Sequence, residues 1–254
     1  MSEPDLWRRL AQSTPARLRL GRSGAGLPTR ETLRFSLAHA QARDAVHASL
    51  DADGLERGLA ALGLATVRVS SRAAGRDSYL LRPDLGRTLA DAGRERLTGS
   101  GAGPVDLALI VADGLSARAV TAHAAKVVAA LLPPVRQAGW RIGPVAIAEQ
   151  ARVALGDEIG ALLQARLALV LIGERPGLSS PDSLGLYLTY APRPGRSDGE
   201  RNCISNIHAA GLSHDQAAAG ALWLIRAAFA RQMTGVALKD ESGATPAIAE
   251  PGRG

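Results

Sequence analysis

Apolar and polar residues follow one another along this chain in blocks that predict strands alternating with helices. Four apolar runs, rich in Val, Ile and Leu, have the length and composition of buried strands. They are Val105–Ala112, Val145–Ala148, Leu167–Ile172 and Leu184–Tyr190. Ser116 and Ser213 are placed to cap two of the intervening helices. The alternation predicts the α/β class, with a largely parallel Rossmann-like sheet and flanking helices.

The residues before this pattern are organised differently. Thr29 follows Pro28 and is placed to cap a helix over Arg30–Leu50, and a second helix is predicted over Asp53–Leu62. The chain therefore divides into a flexible N-terminal arm (1–13), a small N-terminal helical domain (14–64), the α/β domain (65–238) and a disordered tail (239–254).

Shorter elements complete the prediction. Thr66–Ser70 alternates as a strand, and Ser78–Leu81 is predicted as another short strand. Helices are expected over Arg87–Leu97 and near Asp157–Ala165, whereas Gly199–His208 is predicted as a loop.

Composition and charge narrow the class of protein. The 254 residues are 46% hydrophobic and 21% charged, which is typical of a folded globular protein. With 3 Trp, 3 Tyr and 2 Phe the chain has few rings for stacking bases, and its net charge of +6 is spread over scattered arginines. Nucleic-acid binding is therefore disfavoured, although a basic nucleic-acid-binding module stays an alternative, which a steep salt dependence would reveal.

Cysteine count and hydropathy bear on location. The single cysteine, Cys203, excludes internal disulfides and a multi-cysteine zinc site. The longest apolar stretch, Ala217–Ala230, contains Arg226 and is too short to cross a bilayer, and Met1–Leu10 lacks the apolar core of a signal peptide. We expect a soluble cytoplasmic protein with no membrane segment.

Ligands of such sheets usually bind outside the carboxyl ends of the strands, where the strand order reverses. Four segments are expected at that edge: Asp113–Gly114, Glu149–Val153, Gly173–Gly177 and Gly199–His208. Each alone is consistent with an ordinary turn or helix cap, but their joint position favours a ligand site. Gly173 and Gly177 are expected to let the backbone approach a bulky ligand.

Other candidate motifs point to no reaction. The glycines of Gly21–Gly26 follow the order GxxGxG and not the GxGxxG of a dinucleotide-binding loop, which favours a flexible connector. A nicotinamide-dependent oxidoreductase of Rossmann type stays an alternative, although its glycine fingerprint is missing. His39 and His47 lie about 12 Å apart along a helix and cannot share a metal ion. Cys203 could pair with His208 as thiol and imidazole, or could be inert packing. We assign no catalytic and no metal-binding residue.

Several longer strings resemble a known family. They are Thr14–Thr29 (TPARLRLGRSGAGLPT), Leu33–Phe35, His39–His47 (HAQARDAVH), Leu109–Ser116 (LIVADGLS), Leu171–Leu178 (LIGERPGL) and Glu200–His208 (ERNCISNIH). From about Thr14 to Val236, the chain resembles the small (light) subunit of ethanolamine ammonia-lyase.

The resemblance implies a non-autonomous subunit of a carbon–nitrogen lyase that uses adenosylcobalamin to convert ethanolamine to acetaldehyde and ammonia. It implies a hetero-oligomer, in which a TIM-barrel large subunit holds the substrate and this chain helps to close the cobalamin site. Matched by motif, the family's cobalamin contacts fall on Val153, Glu174 and Cys203. The DxHxxG string of another cobalamin fold is missing, so the cofactor's own dimethylbenzimidazole is expected to remain the lower cobalt ligand.

The N-terminal region bears on partners. Six cations there are expected to help dock the large subunit: Arg17, Arg22, Arg30, His39, Arg43 and His47. Some members of the family carry a longer amphipathic N-terminal extension that directs the enzyme into a bacterial microcompartment. Because about thirteen residues precede the first motif here, residence in a microcompartment is not what we expect.

Overall fold

The computed structural model describes residues 3–14, 16–18 and 20–239, with a six-stranded sheet at the centre. Its strands are β1 (Thr66–Ser70), β2 (Leu107–Ala112), β3 (Val145–Glu149), β4 (Leu167–Gly173), β5 (Leu184–Tyr190) and β6 (Arg201–Ile207). They lie in the order β1-β3-β2-β4-β5-β6. The first four in this order are parallel, β5 is antiparallel to β4, and β6 is antiparallel to β5. The predicted α/β class with a mostly parallel sheet is confirmed.

Helices cover both faces of the sheet. The described helices are α1 (Glu3–Gln12), α2 (Thr29–His47), α3 (Ala52–Ala61), α4 (Arg76–Leu81), α5 (Asp91–Gly99), α6 (Ala117–Gln137), α7 (Leu155–Leu162) and α8 (His214–Arg231). Helices α3, α6 and α8 contribute to the core on one face, and α5 and α7 contribute to the core on the other.

Strand β2 shows how the sequence builds these two layers. All six of its residues are buried, as expected for a strand covered on both faces. Successive side chains point to opposite faces. Leu109 and Val111 therefore join the layer of α6 and α8, while Ala108 and Ile110 join the layer of α5 and α7.

The predicted caps are confirmed for two helices and wrong for one. The Ser116 Oγ accepts a hydrogen bond from the backbone N–H three residues later, at 3.2 Å. At the start of α8, Ser213 and Gln216 each accept a hydrogen bond from the other's backbone N–H, at 3.2 and 3.1 Å. Thr29, by contrast, is the first residue of α2, and Pro28 at the cap position provides no side-chain hydrogen bond.

Two predicted elements are corrected. Ser78–Leu81 lies in helix α4 and not in a strand. Tyr79 is fully buried while Leu81 is 80% exposed, so these residues do not share one face as they would in a strand. The predicted loop Gly199–His208 contains the edge strand β6, whose mixed polar sequence and register irregularity against β5 hide the period of a strand.

Other boundaries differ less. In place of one helix over Arg87–Leu97, the chain forms a 3-10 turn at Leu85–Arg87 and then α5. The stretch predicted as a flexible arm contains α1. Beyond residue 239, the tail predicted as disordered lies outside the described residues.

Candidate functional site

A cavity of about 420 Å³ opens at the edge of the sheet where the parallel strands end. From β2 the chain passes to β3 on one side and then to β4 on the other side, so the strand order reverses there. Three of the four segments predicted at this edge contribute to the walls. The lining residues are Tyr79, Gly114, Leu115, Arg152, Val153, Ile172, Gly173, Glu174, Arg175 and Tyr187.

Asp113 anchors the loop that follows β3. Its buried carboxylate accepts hydrogen bonds from the backbone N–H groups of Ala151, at 3.0 Å, and Gln150, at 2.8 Å. The Arg76 guanidinium lies 3.5 Å from the same group. Burial raises the pKa of Asp113, while the backbone hydrogen bonds and Arg76 favour its charged form. Asp113 therefore shapes the site and is not itself a wall of the cavity.

Gly114 and Gly173 bring the ends of β2 and β4 into direct contact. Gly114 has φ +56°, and a Cβ atom there would lie 2.3 Å from the Gly173 carbonyl oxygen. A Cβ atom on Gly173 would lie 2.1 Å from the Ser116 carbonyl oxygen. Gly173 therefore allows two backbones to pack. Because it also lines the cavity, the expected approach of its backbone to a ligand stays a prediction.

Glu174 closes the loop between β4 and β5. Its backbone N–H donates to the Ser183 carbonyl oxygen at 2.9 Å. Its Oε2 accepts hydrogen bonds from the Ser183 hydroxyl at 2.5 Å and from the Asn206 backbone N–H at 3.2 Å. Among the described residues none donates to Oε1, so this oxygen can accept a hydrogen bond from a ligand.

Tyr79 and Arg152 form the opposite part of the wall. The Arg152 Cζ lies 4.2 Å from the Tyr79 ring centroid, and the Arg76 Cζ lies 4.8 Å from it. The Tyr79 hydroxyl donates to the Ala151 carbonyl oxygen at 3.1 Å. Burial raises the pKa of Tyr79 to about 12, so this donor stays protonated at neutral pH.

The structure places the three residues matched to family cobalamin contacts differently. Val153 and Glu174 line the cavity, although they come from separate loops. Cys203 is exposed on the edge strand β6, directly opposite Tyr187 of β5. Desolvation raises the pKa of the Cys203 thiol, so it stays neutral. Cys203 thus adjoins the cavity through Tyr187 and does not line it.

His208 forms no thiol–imidazole pair with Cys203. Its Nε2 lies 2.7 Å from Asn206 Oδ1, and its Nδ1 accepts a hydrogen bond from the Ala210 backbone N–H at 3.3 Å. These local contacts hold the chain after β6 and leave the sulfur without a base.

Sequence reasoning missed the two tyrosines in the wall. Tyr79 lay in the wrongly predicted strand, and Tyr187 was read only as part of a buried strand. Their one signal was rarity, since aromatic residues make up 3% of the chain. Arg152 fell inside a predicted segment but had no distinguishing local feature.

A group of titratable side chains lies behind the β4–β5 loop. His123 Nδ1 is 3.0 Å from His214 Nε2, and His123 Nε2 is 3.6 Å from Asp182 Oδ2. Burial lowers the pKa of His123, and Asp182 opposes that effect. In the described part of the chain, no three His, Cys, Asp or Glu residues are arranged to hold a metal ion.

The N-terminal histidines and glycine loop form no second site. His39 is exposed and stacks on Phe35, with ring centroids 6.3 Å apart. The glycine-rich segment makes a tight turn, in which the Ser23 N–H donates to the Gly26 carbonyl oxygen at 2.9 Å. No helix within the described residues has the length and apolar character needed to cross a membrane.

The described walls of the cavity offer several groups that can bind a ligand. These walls offer one carboxylate acceptor, guanidinium donors and apolar surface from Val153 and Ile172. Among these described wall residues, no nucleophile lies beside a base in the arrangement that nucleophilic catalysis uses.

Comparison with known proteins supplies the family. The family model described as "Ethanolamine ammonia-lyase light chain (EutC)" matches residues 4–239. Three similar proteins are each named ethanolamine ammonia-lyase small subunit. That of Rhodopseudomonas palustris is 61% identical over 92% of this chain and 90% of its own, and that of Bradyrhizobium diazoefficiens is 57% identical over 95% of both chains. That of Xanthomonas campestris is 54% identical over 94% of this chain and 89% of its own.

Proposed function

The chain belongs to the ethanolamine ammonia-lyase light-chain family, and we propose from this that it is the small subunit of an adenosylcobalamin-dependent lyase acting on ethanolamine. In this proposal it binds a large subunit, and its cavity receives part of the cofactor. The three relatives described above all carry the small-subunit name, and none is named an oxidoreductase.

The observation that carries the cofactor assignment is the meeting of Val153 and Glu174 in one cavity. The two residues follow different strands, and the reversal of strand order brings their loops together. An α/β sheet uses this position for ligands. Glu174 Oε1 and the buried Arg152 Nε both lack a partner among the described residues, which supports a polar ligand with donors and acceptors.

Adenosylcobalamin fits these walls in part. Its corrin ring carries many amide groups, which can donate to Glu174 Oε1, and an apolar rim, which can pack on Val153. A cavity of about 420 Å³ is within the range of small-molecule sites and is too small for the whole cofactor. The remaining surface of the cofactor would be covered by the large subunit, which we propose is a TIM barrel.

The chemistry supplied by bound adenosylcobalamin is cleavage of its cobalt–carbon bond into radicals. The residues of this chain bind and orient the cofactor and exclude water from it. Glu174 accepts a hydrogen bond from the cofactor on Oε1, while its Oε2 is held by Ser183, and Val153 gives apolar contact. Cys203 contributes through Tyr187, the residue opposite it on β5 that lines the cavity.

We propose that the α/β unit (65–238) is Rossmann-like and that residues 14–64 form an N-terminal helical unit directed at the large subunit. Apolar side chains on α2 are unusually exposed for a free surface, with Leu33 at 64%, Leu37 at 60% and Phe35 at 48%. Arg22 and Arg43 are exposed on the same unit. A partner that covers apolar surface and carries acidic groups would account for both features.

Co-purification of tagged chain with a co-expressed large subunit tests this function. The complex should bind adenosylcobalamin and release acetaldehyde and ammonia from ethanolamine. The isolated chain should do neither. Deaminase activity of the isolated chain, or a complex that binds no cobalamin, would refute the proposal. Retention on an immobilised nicotinamide dinucleotide would favour the oxidoreductase alternative instead.

A further inference from the structure

The cavity contains an arginine whose charge is unpaired. Arg152 is partly buried, and in the described part of the chain no carboxylate lies within ion-pair distance of it. Its Nε is buried with no hydrogen-bond partner. Removing a cation from water without a counter-charge is unfavourable, so a folded protein seldom keeps such a group without a use.

The position of Arg152 is fixed by three contacts. Its backbone N–H donates to the Gly86 carbonyl oxygen at 2.8 Å, its Nη2 donates to the Tyr79 carbonyl oxygen at 3.2 Å, and its guanidinium lies over the Tyr79 ring. A Cβ atom on Gly86 would come within 3.0 Å of both side chains. The missing side chain of Gly86 therefore makes room for the pair, and Arg152 loses little freedom when a ligand binds.

The neighbouring acids are already engaged. Asp113 accepts two backbone hydrogen bonds and faces Arg76, and Glu174 accepts hydrogen bonds from Ser183 and Asn206. Neither carboxylate neutralises Arg152. The ligand group that meets Arg152 should therefore bring the negative charge, since an ionic hydrogen bond is roughly twice as strong as a neutral one.

We infer that Arg152, braced on Tyr79, forms a subsite for the phosphodiester group of the cofactor's nucleotide arm. The inference rests on the proposed cobalamin function and adds the part of the cofactor that this chain recognises. Cobalamin carries one phosphodiester among many neutral amides, and a planar guanidinium matches the oxygens of a phosphate. Arg175 also lines the cavity but is exposed, where water screens its charge.

Two corrinoids that differ by a phosphate at this position, present as a monoester in place of the phosphodiester, provide the test. Binding of adenosylcobinamide phosphate and of adenosylcobinamide to the complex of both subunits is measured by the change in visible spectrum on titration. The wild-type complex should prefer the phosphorylated compound by about tenfold or more. Arg152→Gln should abolish this preference, and so should Arg152→Met, which keeps an apolar stem against Tyr79. A general loss of structure would weaken the binding of both compounds equally and leave the ratio of their affinities unchanged.

Arg175→Gln is the matched control, because it removes the same charge from an exposed position on the same cavity. It should keep most of the preference. Any of three results would overturn the inference. These are an equal loss of preference in the Arg152 and Arg175 variants, an unchanged preference in the Arg152 variants, and no preference in the wild type. If the wild-type complex fails to bind adenosylcobalamin itself, the proposed function fails, which is a separate result from these.

Discussion

Ser183 and Glu174 join the two ends of the β4–β5 loop by a pair of hydrogen bonds, one from the Ser183 hydroxyl to the Glu174 carboxylate at 2.5 Å and one between their backbones at 2.9 Å. The carboxylate thus has one oxygen that holds the loop and one that remains free. This division allows its structural and binding roles to be tested separately.

Glu174→Gln should weaken adenosylcobalamin binding to the complex by about tenfold to a hundredfold, because a hydrogen bond to a charged acceptor contributes roughly 1.5 to 3 kcal/mol. The amide oxygen can still accept from Ser183, so the melting temperature should change little. Spectral titration and a thermal melt on the same variant check both statements. Ser183→Ala is the control for the loop: it should lower stability more than Glu174→Gln does. Unchanged cofactor affinity in Glu174→Gln would rule out the binding role.

Gly173→Ala should destabilise the protein by about 1 to 3 kcal/mol, because the new methyl group would overlap the Ser116 backbone. Urea unfolding measures the loss. Gly99→Ala is the matched control: this glycine lies at the end of helix α5 with no atom near its Cβ position, and the substitution should be neutral or slightly stabilising. Similar unfolding midpoints for the two variants would show that the strand ends are not packed as described.

Arg201→Met should cost about 3 to 5 kcal/mol, because it leaves the Asp157 carboxylate buried without its partner. The two side chains are 2.6 Å apart and each is 2% exposed. Burial already raises the pKa of Asp157, so the folded state of the variant should bind a proton more readily than the unfolded chain. Its stability should therefore fall further as pH rises above the ordinary aspartate range.

Denaturant unfolding at two pH values measures this effect. The double variant Asp157→Leu with Arg201→Met should recover a large part of the loss, because no buried charge remains. Arg82→Met removes an exposed pair with Asp84 and should change stability by no more than about 1 kcal/mol. If the single Arg201 variant behaves like the Arg82 variant, the buried pair makes no special contribution.

Acidification should destabilise the protein partly through His123. Burial lowers the pKa of His123 below 6.5, so in mildly acidic solution the unfolded chain binds a proton that the folded chain does not. This contribution to stability is present above the unfolded pKa and is lost as pH falls toward the folded value. His123→Gln should therefore lose less stability between about pH 7.5 and pH 5.5 than the wild type does.

The comparison is made by urea unfolding at the two pH values, with His39→Gln, which removes an exposed histidine, measured in parallel. Asp182 raises the pKa of His123, and His214 and Lys126 lower it, so all of these influences on His123 are lost in the variant. A pH dependence identical to that of the wild type would show that His123 does not contribute.

Charge reversal at Arg22 and Arg43 should lower the yield of complex with the large subunit, because both are exposed on the N-terminal unit. The isolated chain should unfold at an unchanged temperature. Reversal of Arg193, which follows β5, and Arg231, at the end of α8, is the matched control: both are exposed outside the N-terminal unit, and the yield should stay intact. Pull-down across a salt series measures the yield of complex. Equal yields for the two double variants at low salt would contradict docking through the N-terminal unit.

The sequence by itself determined the elements whose signals are local. Strand β4 is a continuous apolar run because both faces of it are covered, and the Ser213 cap of α8 depends on residues three positions apart. The edge strand β6 escaped prediction because an edge needs no continuous apolar run. Glu174 was identified because it follows a buried strand, and carboxyl ends of parallel strands share one edge of the sheet.

Only the tertiary structure decided how the cavity is walled. Arg152 and Tyr79 are 73 residues apart in sequence, and neither carries a local pattern that marks it for the other. Their contact exists because α4, which the sequence suggested was a strand, places a buried ring beside the loop after β3. The role of Gly173 likewise depends on how closely β2 and β4 approach, a distance that long-range packing sets and that local residue preferences do not encode.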